Sequence, residues 1–353
     1  MKNSQLVFAN NSIGVNYPPF IIAEMSGNHN QSLDKALEIV ESAAKSGVNA
    51  IKLQTYTPNT ITLDVNSNDF KINDPKSLWA GERLYDLYKL AYTPWEWHEP
   101  IMKKAKKLGL ICFSSPFDET AVDFLETLDV PLYKIASFEN NHLPLIRKVS
   151  STGKPVIIST GVSNLNELDE MVTTARDAGC KDLVLLKCTS NYPASPKNSN
   201  ILTIPHLKEL FGCEVGLSDH TLGIGASIAA IAHGASVLEK HFTLDRSDGG
   251  VDSAFSMEPD EMTSLVIESK NAWQSLGKIT YGPTNAEKNS LNFKRSIFIS
   301  EDMKKGEVFT EKNLRIVRPG NGLHPRYYEK FIGKKVSKDV EKGVALNWNH
   351  VLS

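Results

Sequence analysis

The chain has 353 residues, with 39 Lys plus Arg against 41 Asp plus Glu, and a formal net charge of -2 at pH 7. Hydrophobic residues at 41% and charged residues at 23% fit a soluble protein that fills a core, and the near-balance of charge excludes a general field for nucleic acid or an anionic membrane. That length suits two or three domains, or one large barrel with a small appendage. Taken in order, an apolar run FIIAEM from Phe20 precedes LDKALEIVESAAKSG, whose apolar residues fall at helical spacing and stop at Gly47. AIKLQTY follows, then an insertion of mixed character and the helix PWEWHEPIMKKAKKLG, with Pro94 near its start. LICFSS pairs with DETAVDFLETL, LYKIAS with LPLIRKVSSTG, and PVIIST with NELDEMVTTARDAG. DLVLLKCT pairs with LTIPHLKELFG, CEVGLSDHT with GIGASIAAIAHG, and SVLEKHFTL with DEMTSLVIESKNAWQSLG.

Eight short strands, apolar throughout and each followed by a helix, predict a parallel sheet covered on both faces and closed into a (β/α)₈ TIM barrel over residues 1–278. The alternative is an open doubly wound sheet, but no G-x-G-x-x-G turn follows the first strand. Residues 279–294 are polar and read as a linker. From 295 to 353, the strand-like pieces SIFIS, VFT, LRIV and ALNW alternate with turn chemistry, which predicts a small β-rich domain. MKKGEVFT and VEKGVALN look like two copies of one hairpin-like element. So small a unit is expected to dock on a barrel of its own or another subunit.

The four cysteines, Cys112, Cys180, Cys188 and Cys213, form no C-x-x-C pair and are expected to be buried reduced thiols. MKNSQLVFANNSIGV has no sustained apolar core of a signal peptide, and residues 223–238, interrupted by His233, are too short to span a bilayer. A cytoplasmic protein is the expectation.

Chemistry in such a barrel sits at the C-terminal ends of the strands. Those ends carry Glu24, Lys52 with Gln54, Ser114 with Ser115, and Lys134 with Ser137 and Glu139. They continue with Ser159 and Thr160, Thr189 and Ser190, Ser218 with Asp219 and His220, and Glu239 with Lys240 and His241. Two lysines and several hydroxyls facing one cavity form an anion site for phosphate or carboxylate; otherwise Lys52 and Lys134 simply pair with Glu24 or Glu139. His220 and His241 end the seventh and eighth predicted strands, about 4.8 Å apart as neighbours in a sheet, close enough to share one metal ion. Two imidazoles completed by oxygen suit a Mn²⁺-like or Mg²⁺-like Lewis acid rather than structural zinc. Among the other histidines, His29 is within reach of the pocket, His98 and His206 read as helix residues, His233 as a helix end, and His142 and His350 as surface positions. Trp79, Tyr85, Tyr88, Tyr92, Trp95 and Trp97 read first as packing for the insertion and second helix, and second as a sugar-stacking surface.

FIIAEMSGNHNQS, IKLQTY, FSSPFD, YKIASFE, VIISTG, KCTSNYP, VGLSDHT and LEKHFT, in this order and with RPGNGL after them, resemble the sialic acid synthase family from about Phe20 to the C-terminus. The resemblance implies condensation of phosphoenolpyruvate with a 2-acetamido sugar to a nine-carbon ulosonic acid. It also implies a C-terminal antifreeze-like (SAF) domain and a domain-swapped homodimer in which that domain covers the partner's active site. IKLQTYTPNT, LWAGERLYDLYKLAYTPWEWH, LICFSSPFD and YKIASFE are similar to members that take 2,4-diacetamido-2,4,6-trideoxy-L-altropyranose and make pseudaminic acid. The alternatives are an N-acetylneuraminate or legionaminate synthase, a 3-deoxy-ulosonate-phosphate synthase, and a non-catalytic carbohydrate-binding protein. On matching positions the resemblance implies that Lys52, Ser115, Lys134, Ser137, Ser159, Ser190 and Ser218 hold phosphoenolpyruvate. Ser115 and Ser190 depart from the Thr and Asn usual in neuraminate synthases. His220 and His241 are implied to hold Mn²⁺, with Mg²⁺ or Co²⁺ as alternatives. Glu24 first and Glu139 second are expected to move protons, and Gln54, Tyr192, Asp252 and Arg318 to face the sugar, with His324 near Arg318.

Overall fold

Two three-residue strands, β1 (Leu6–Phe8) and β2 (Asn11–Ile13), pair antiparallel as a hairpin ahead of the barrel, too short to show as an alternation in the sequence. Eight parallel strands follow: β3 (Phe20–Glu24), β4 (Ala50–Thr55), β5 (Ile111–Pro116), β6 (Tyr133–Ile135), β7 (Val156–Ser159), β8 (Leu183–Cys188), β9 (Glu214–Ser218) and β10 (Val237–His241). They close into a barrel in which β10 pairs with both β9 and β3. The helices that cover it are α1 (Leu33–Lys45), α2 (His98–Lys107), α3 (Glu119–Thr127), α4 (Leu143–Ser150), α5 (Leu165–Asp177), α6 (Thr203–Phe211), α7 (Gly225–Ala232) and α8 (Pro259–Leu276). The chain divides into two compact units, Met1–Gly277 and Lys278–Ser353, and within them the computed structural model describes residues 6–352.

Local chemistry explains where these helices start and which face they bury. Ser32 caps α1 by accepting from the Lys35 N–H (3.3 Å), and Ala36, Ile39, Val40 and Ala43 form its buried stripe at helical spacing. Asn164 and Glu167 make a reciprocal capping box on α5, which buries Leu168, Met171, Val172 and Ala175.

Side chains alternate faces along each strand, and this period of two builds the interior. Ile21 and Ala23 of β3 pack outward into the helix layer, while Phe20 and Ile22 join an inner apolar cluster with Ala50, Phe113, Leu132, Ile157, Val184, Leu186 and Val237. Leu6, Phe8 and Ile13 of the hairpin complete that cluster, with the Phe8 and Phe20 rings edge-to-face at 5.4 Å. Towards the C-terminal ends of most strands the inward position turns polar. Phe113 is succeeded by Ser115, Leu132 by Lys134, Ile157 by Ser159, and Val237 by Glu239 and His241.

Between β4 and α2 the chain inserts two short helices, Pro58–Ile61 and Leu84–Ala91. Gln31 after β3 donates to the carbonyls of Leu90 (3.0 Å) and Tyr92 (2.6 Å), which ties the insertion to the barrel.

The second unit has its own core of Ile297, Phe309, Leu314, Phe331 and Val336. Its strands β11 (Ser296–Ile299) and β12 (Leu314–Val317) run antiparallel and match SIFIS and LRIV. VFT and ALNW make only isolated bridges, Val308 to Lys335 and Phe298 to Ala345. The two similar segments do meet: Met303 and Val340 exchange backbone hydrogen bonds of 2.8 and 2.9 Å. Each segment turns on a left-handed glycine, Gly306 at φ 90° and Gly343 at φ 91°. His350, expected at the surface, is buried, because its ring nitrogen accepts from the Asn347 N–H and closes the last 3₁₀ turn.

Candidate active site

The polar inward positions converge on one cavity of about 220 Å³ at the C-terminal end of the barrel. At its floor, Lys52 lies 2.7 Å from Glu24 and 3.6 Å from Glu239, and Lys134 lies 3.3 Å from the same Glu239 oxygen. All four are almost fully buried. Burial raises the Glu24 pKa, against the pull of Lys52. Burial pushes both lysines down; Glu239 and Glu24 more than reverse this for Lys52, while Lys134 stays below the ordinary lysine value. Burial works against the Glu239 carboxylate as well, but Lys134 and Lys52 win and hold its pKa low. Ser218 donates to Glu239 (3.4 Å), and Gln54 donates to Glu24 (2.8 Å). Ser159 Oγ and Glu239 Oε2 are buried with no hydrogen-bond partner; the Ser159 hydroxyl can donate to a bound anion, and the Glu239 oxygen can accept from a water or a ligand hydroxyl.

Ser137 and Glu139 stand on a 3₁₀ turn directly after β6 and line the cavity. Burial pushes the Glu139 carboxyl up to about 7, and its Oε2 is unpartnered. Gly161 lets Ser137 and Ser190 approach: a Cβ there would lie 2.5 Å from one hydroxyl oxygen and 2.3 Å from the other. Ser115 and Ser190 sit one step behind the cavity wall. The first accepts from Lys52 (3.2 Å), and the second contacts Cys188 Sγ (3.7 Å).

His220 and His241 come together with ring centroids 5.3 Å apart, because β9 and β10 are direct neighbours. Tyr192 packs on His220 at 4.4 Å, and Asp252 lies 3.6 Å from His241 Nδ1. Burial and the charge of His220 hold the His241 pKa well below the ordinary value, so its imidazole is neutral. His241 Nδ1 is buried without a hydrogen bond, as a donor waiting for a cation would be. Among the described residues no three His, Cys, Asp or Glu side chains are grouped to hold a metal by themselves. Two imidazoles therefore fit a catalytic ion with open positions better than a closed structural site.

Several placements differ from expectation. His29 is fully buried away from the cavity, between Thr93 (3.2 Å) and Trp97 (ring centroids 5.5 Å), so it anchors the insertion. Trp79 and Tyr88, read as packing, line the cavity, whereas Trp95 stacks on Phe124 at 4.7 Å as packing does. Cys188 is buried as expected, yet it also lines the cavity. Burial pushes its thiol up, but the adjacent His220 overrides this and draws it down to about 6. Glu239, noted only as a polar strand end, is the carboxylate shared by both lysines; the step of two from Val237 to Glu239 to His241 points it inward. Arg318 and His324 belong to the second unit, where both are exposed.

Residues 39–281 match the NeuB family and residues 294–352 the SAF domain. Pseudaminic acid synthase of Campylobacter jejuni (strain 81-176) is 44% identical over 93% of this chain and 95% of its own length. That of Helicobacter pylori is 43% identical over 94% and 97%. The crystal structure of an N-acetylneuraminic acid synthetase from Leptospira borgpetersenii superposes with a TM-score of 0.72 at 30% identity, covering 82% of this chain and 95% of that one.

Proposed function

The chain belongs to the NeuB family, and we propose that it condenses phosphoenolpyruvate with 2,4-diacetamido-2,4,6-trideoxy-L-altropyranose to give pseudaminic acid and phosphate. One observation carries this reading: two buried lysines and the unpartnered Ser159 Oγ share a floor with a neutral, unpartnered His241 nitrogen. An anion held by the first group lies beside an electrophile held near the second.

Lys52 and Lys134 take the phosphate and carboxylate of phosphoenolpyruvate, and Ser137, Ser159 and Ser218 supply directional hydrogen bonds. This fixes the enol before attack. Its C3 forms the new carbon–carbon bond to the C1 aldehyde of the open sugar, whose oxygen takes up a proton. Water adds at the cationic C2 and Glu139 accepts one of its protons; the C2–O bond to phosphate then breaks as the C2 hydroxyl becomes the ketone, its proton leaving with the phosphate. Glu139 suits this step better than Glu24: its carboxyl titrates near 7 and has a free oxygen, whereas Glu24 is tied to Lys52 and Gln54. Gln54, Tyr192 and Asp252 orient the sugar. His220 and His241 would hold the divalent metal, Mn²⁺ ahead of Mg²⁺ and Co²⁺, which supplies a Lewis acid for the aldehyde. A domain-swapped homodimer, with Arg318 of the partner subunit reaching the acetamido group, and a cytoplasmic location belong to the same proposal.

The test is phosphate release from phosphoenolpyruvate, dependent on sugar and metal, with the altrose acceptor set against N-acetylmannosamine. Turnover restricted to the altrose sugar is expected. Turnover restricted to N-acetylmannosamine would move the product to N-acetylneuraminic acid, and activity with neither would overturn the reading.

A further inference from the structure

The cavity is charged at its floor and apolar on its outer wall. Ile61 and Trp79 come from the insertion between β4 and α2, and Phe117 directly follows β5. None of the three takes part in the bond-forming steps above. All are half-buried around the cavity rather than sealed in the core. The wall is also held in place. The Trp79 indole N–H donates to the Val251 carbonyl (2.9 Å), its ring lies 6.0 Å from Tyr192, and Phe117 packs edge-on against the buried Tyr56 at 5.0 Å. Gly27 approaches the insertion so closely that a Cβ there would sit 3.0 Å from Ala91 Cα.

We propose that Ile61, Trp79 and Phe117 are specificity residues that read the deoxygenated end of the acceptor, accepting a methyl group at C6 and rejecting a hydroxymethyl. This rests on the synthase reading given above. The sugar aldehyde must meet phosphoenolpyruvate at the lysine floor, so the carbon farthest from C1 lies toward the outer wall. Ile61 and Phe117 offer no hydrogen-bonding atom, and the one donor of Trp79 is committed to Val251. A C6 hydroxyl set against these three side chains loses water and gains no partner from them, whereas a methyl group gains apolar contact. The expected discrimination is about 10- to 100-fold in kcat/KM, the range open to a site that cannot pair a hydroxyl.

The experiment compares two 2,4-diacetamido acceptors of the same configuration that differ only at C6, CH₃ against CH₂OH. The wild-type protein should prefer the methyl sugar by about 10-fold or more, mainly through the acceptor KM, with the KM of phosphoenolpyruvate the same for both. Ile61→Asn and Phe117→Tyr each supply a polar partner and should narrow the ratio at least about 3-fold while leaving the phosphoenolpyruvate KM unchanged. Phe117→Tyr decides if Ile61→Asn does not fold. Equal use of both sugars by the wild type, or an unchanged ratio in the folded variants, overturns the wall and leaves the synthase reading intact. Turnover of neither sugar overturns the synthase reading, and the wall falls with it.

Discussion

The two halves of the barrel interior are built from the same eight strands and do opposite work. The lower half is a layer of Phe20, Ile22, Phe113, Leu132, Ile157, Leu186 and Val237, plugged by Leu6 and Phe8 of the hairpin and closed to solvent. Two residues further along, the upper half holds Glu24, Lys52, Lys134, Ser159, Ser218, Glu239 and His241. Apolar burial stabilises the first half. Desolvation strains the second, where each charge is tolerated because an opposite one lies within 4 Å. One alternation along a strand thus separates stability from chemistry by a step of two residues.

The sharpest way to break this division is to remove an upper imidazole. His220→Ala or His241→Ala should lower metal-supplemented turnover by about 1,000-fold or more, and melting should show no large loss of stability. Near-normal rates would remove both residues from the metal site. The converse change lies below: Phe8→Ala should cost about 3–5 kcal/mol of barrel stability in denaturant unfolding while leaving both KM values unaltered. A shifted KM there would show that the two halves are coupled.

Glu139 tests whether desolvation above is used chemically. A base with its pKa raised to about 7 is protonated below that pH and ionised above it, so kcat/KM should fall as pH drops through about 7. Glu139→Gln should lower the rate by about 100-fold and flatten that limb. A limb that persists belongs to another group. Ser159→Ala, which removes a buried hydroxyl with no protein partner, should raise the phosphoenolpyruvate KM about 5- to 10-fold without loss of stability. The smallest effect belongs to the second unit. Gly306→Ala and Gly343→Ala should each destabilise it by about 1 kcal/mol in thermal melts, because both turns need a left-handed backbone.

The eight strand–helix pairs are legible because parallel strands covered on both faces read as continuous apolar runs. The hairpin is not: LVF and NSI are three residues each, too short for an alternation to show. At the site, the two lysines and the histidine pair stand out as ionisable residues at apolar strand ends. Glu239 hides because its meaning depends on Lys52 and Lys134, more than a hundred residues away in sequence, meeting it across the barrel. Trp79 hides for another reason. It lies in an insertion with no helical or strand period, and only the anchor to Val251 turns an aromatic residue into part of a wall.

The plug formed by Phe8 and Leu6 also sets a traffic rule. With the lower end sealed, the described residues of the barrel open the cavity only at the strand C-termini, so both reactants and both products share one doorway. A molecule held on the lysines then sits beneath one held against the aromatic wall, as the proposed function places them. On the proposed synthase reading, initial-rate kinetics should show an ordered mechanism, phosphoenolpyruvate before sugar, with excess sugar slowing turnover.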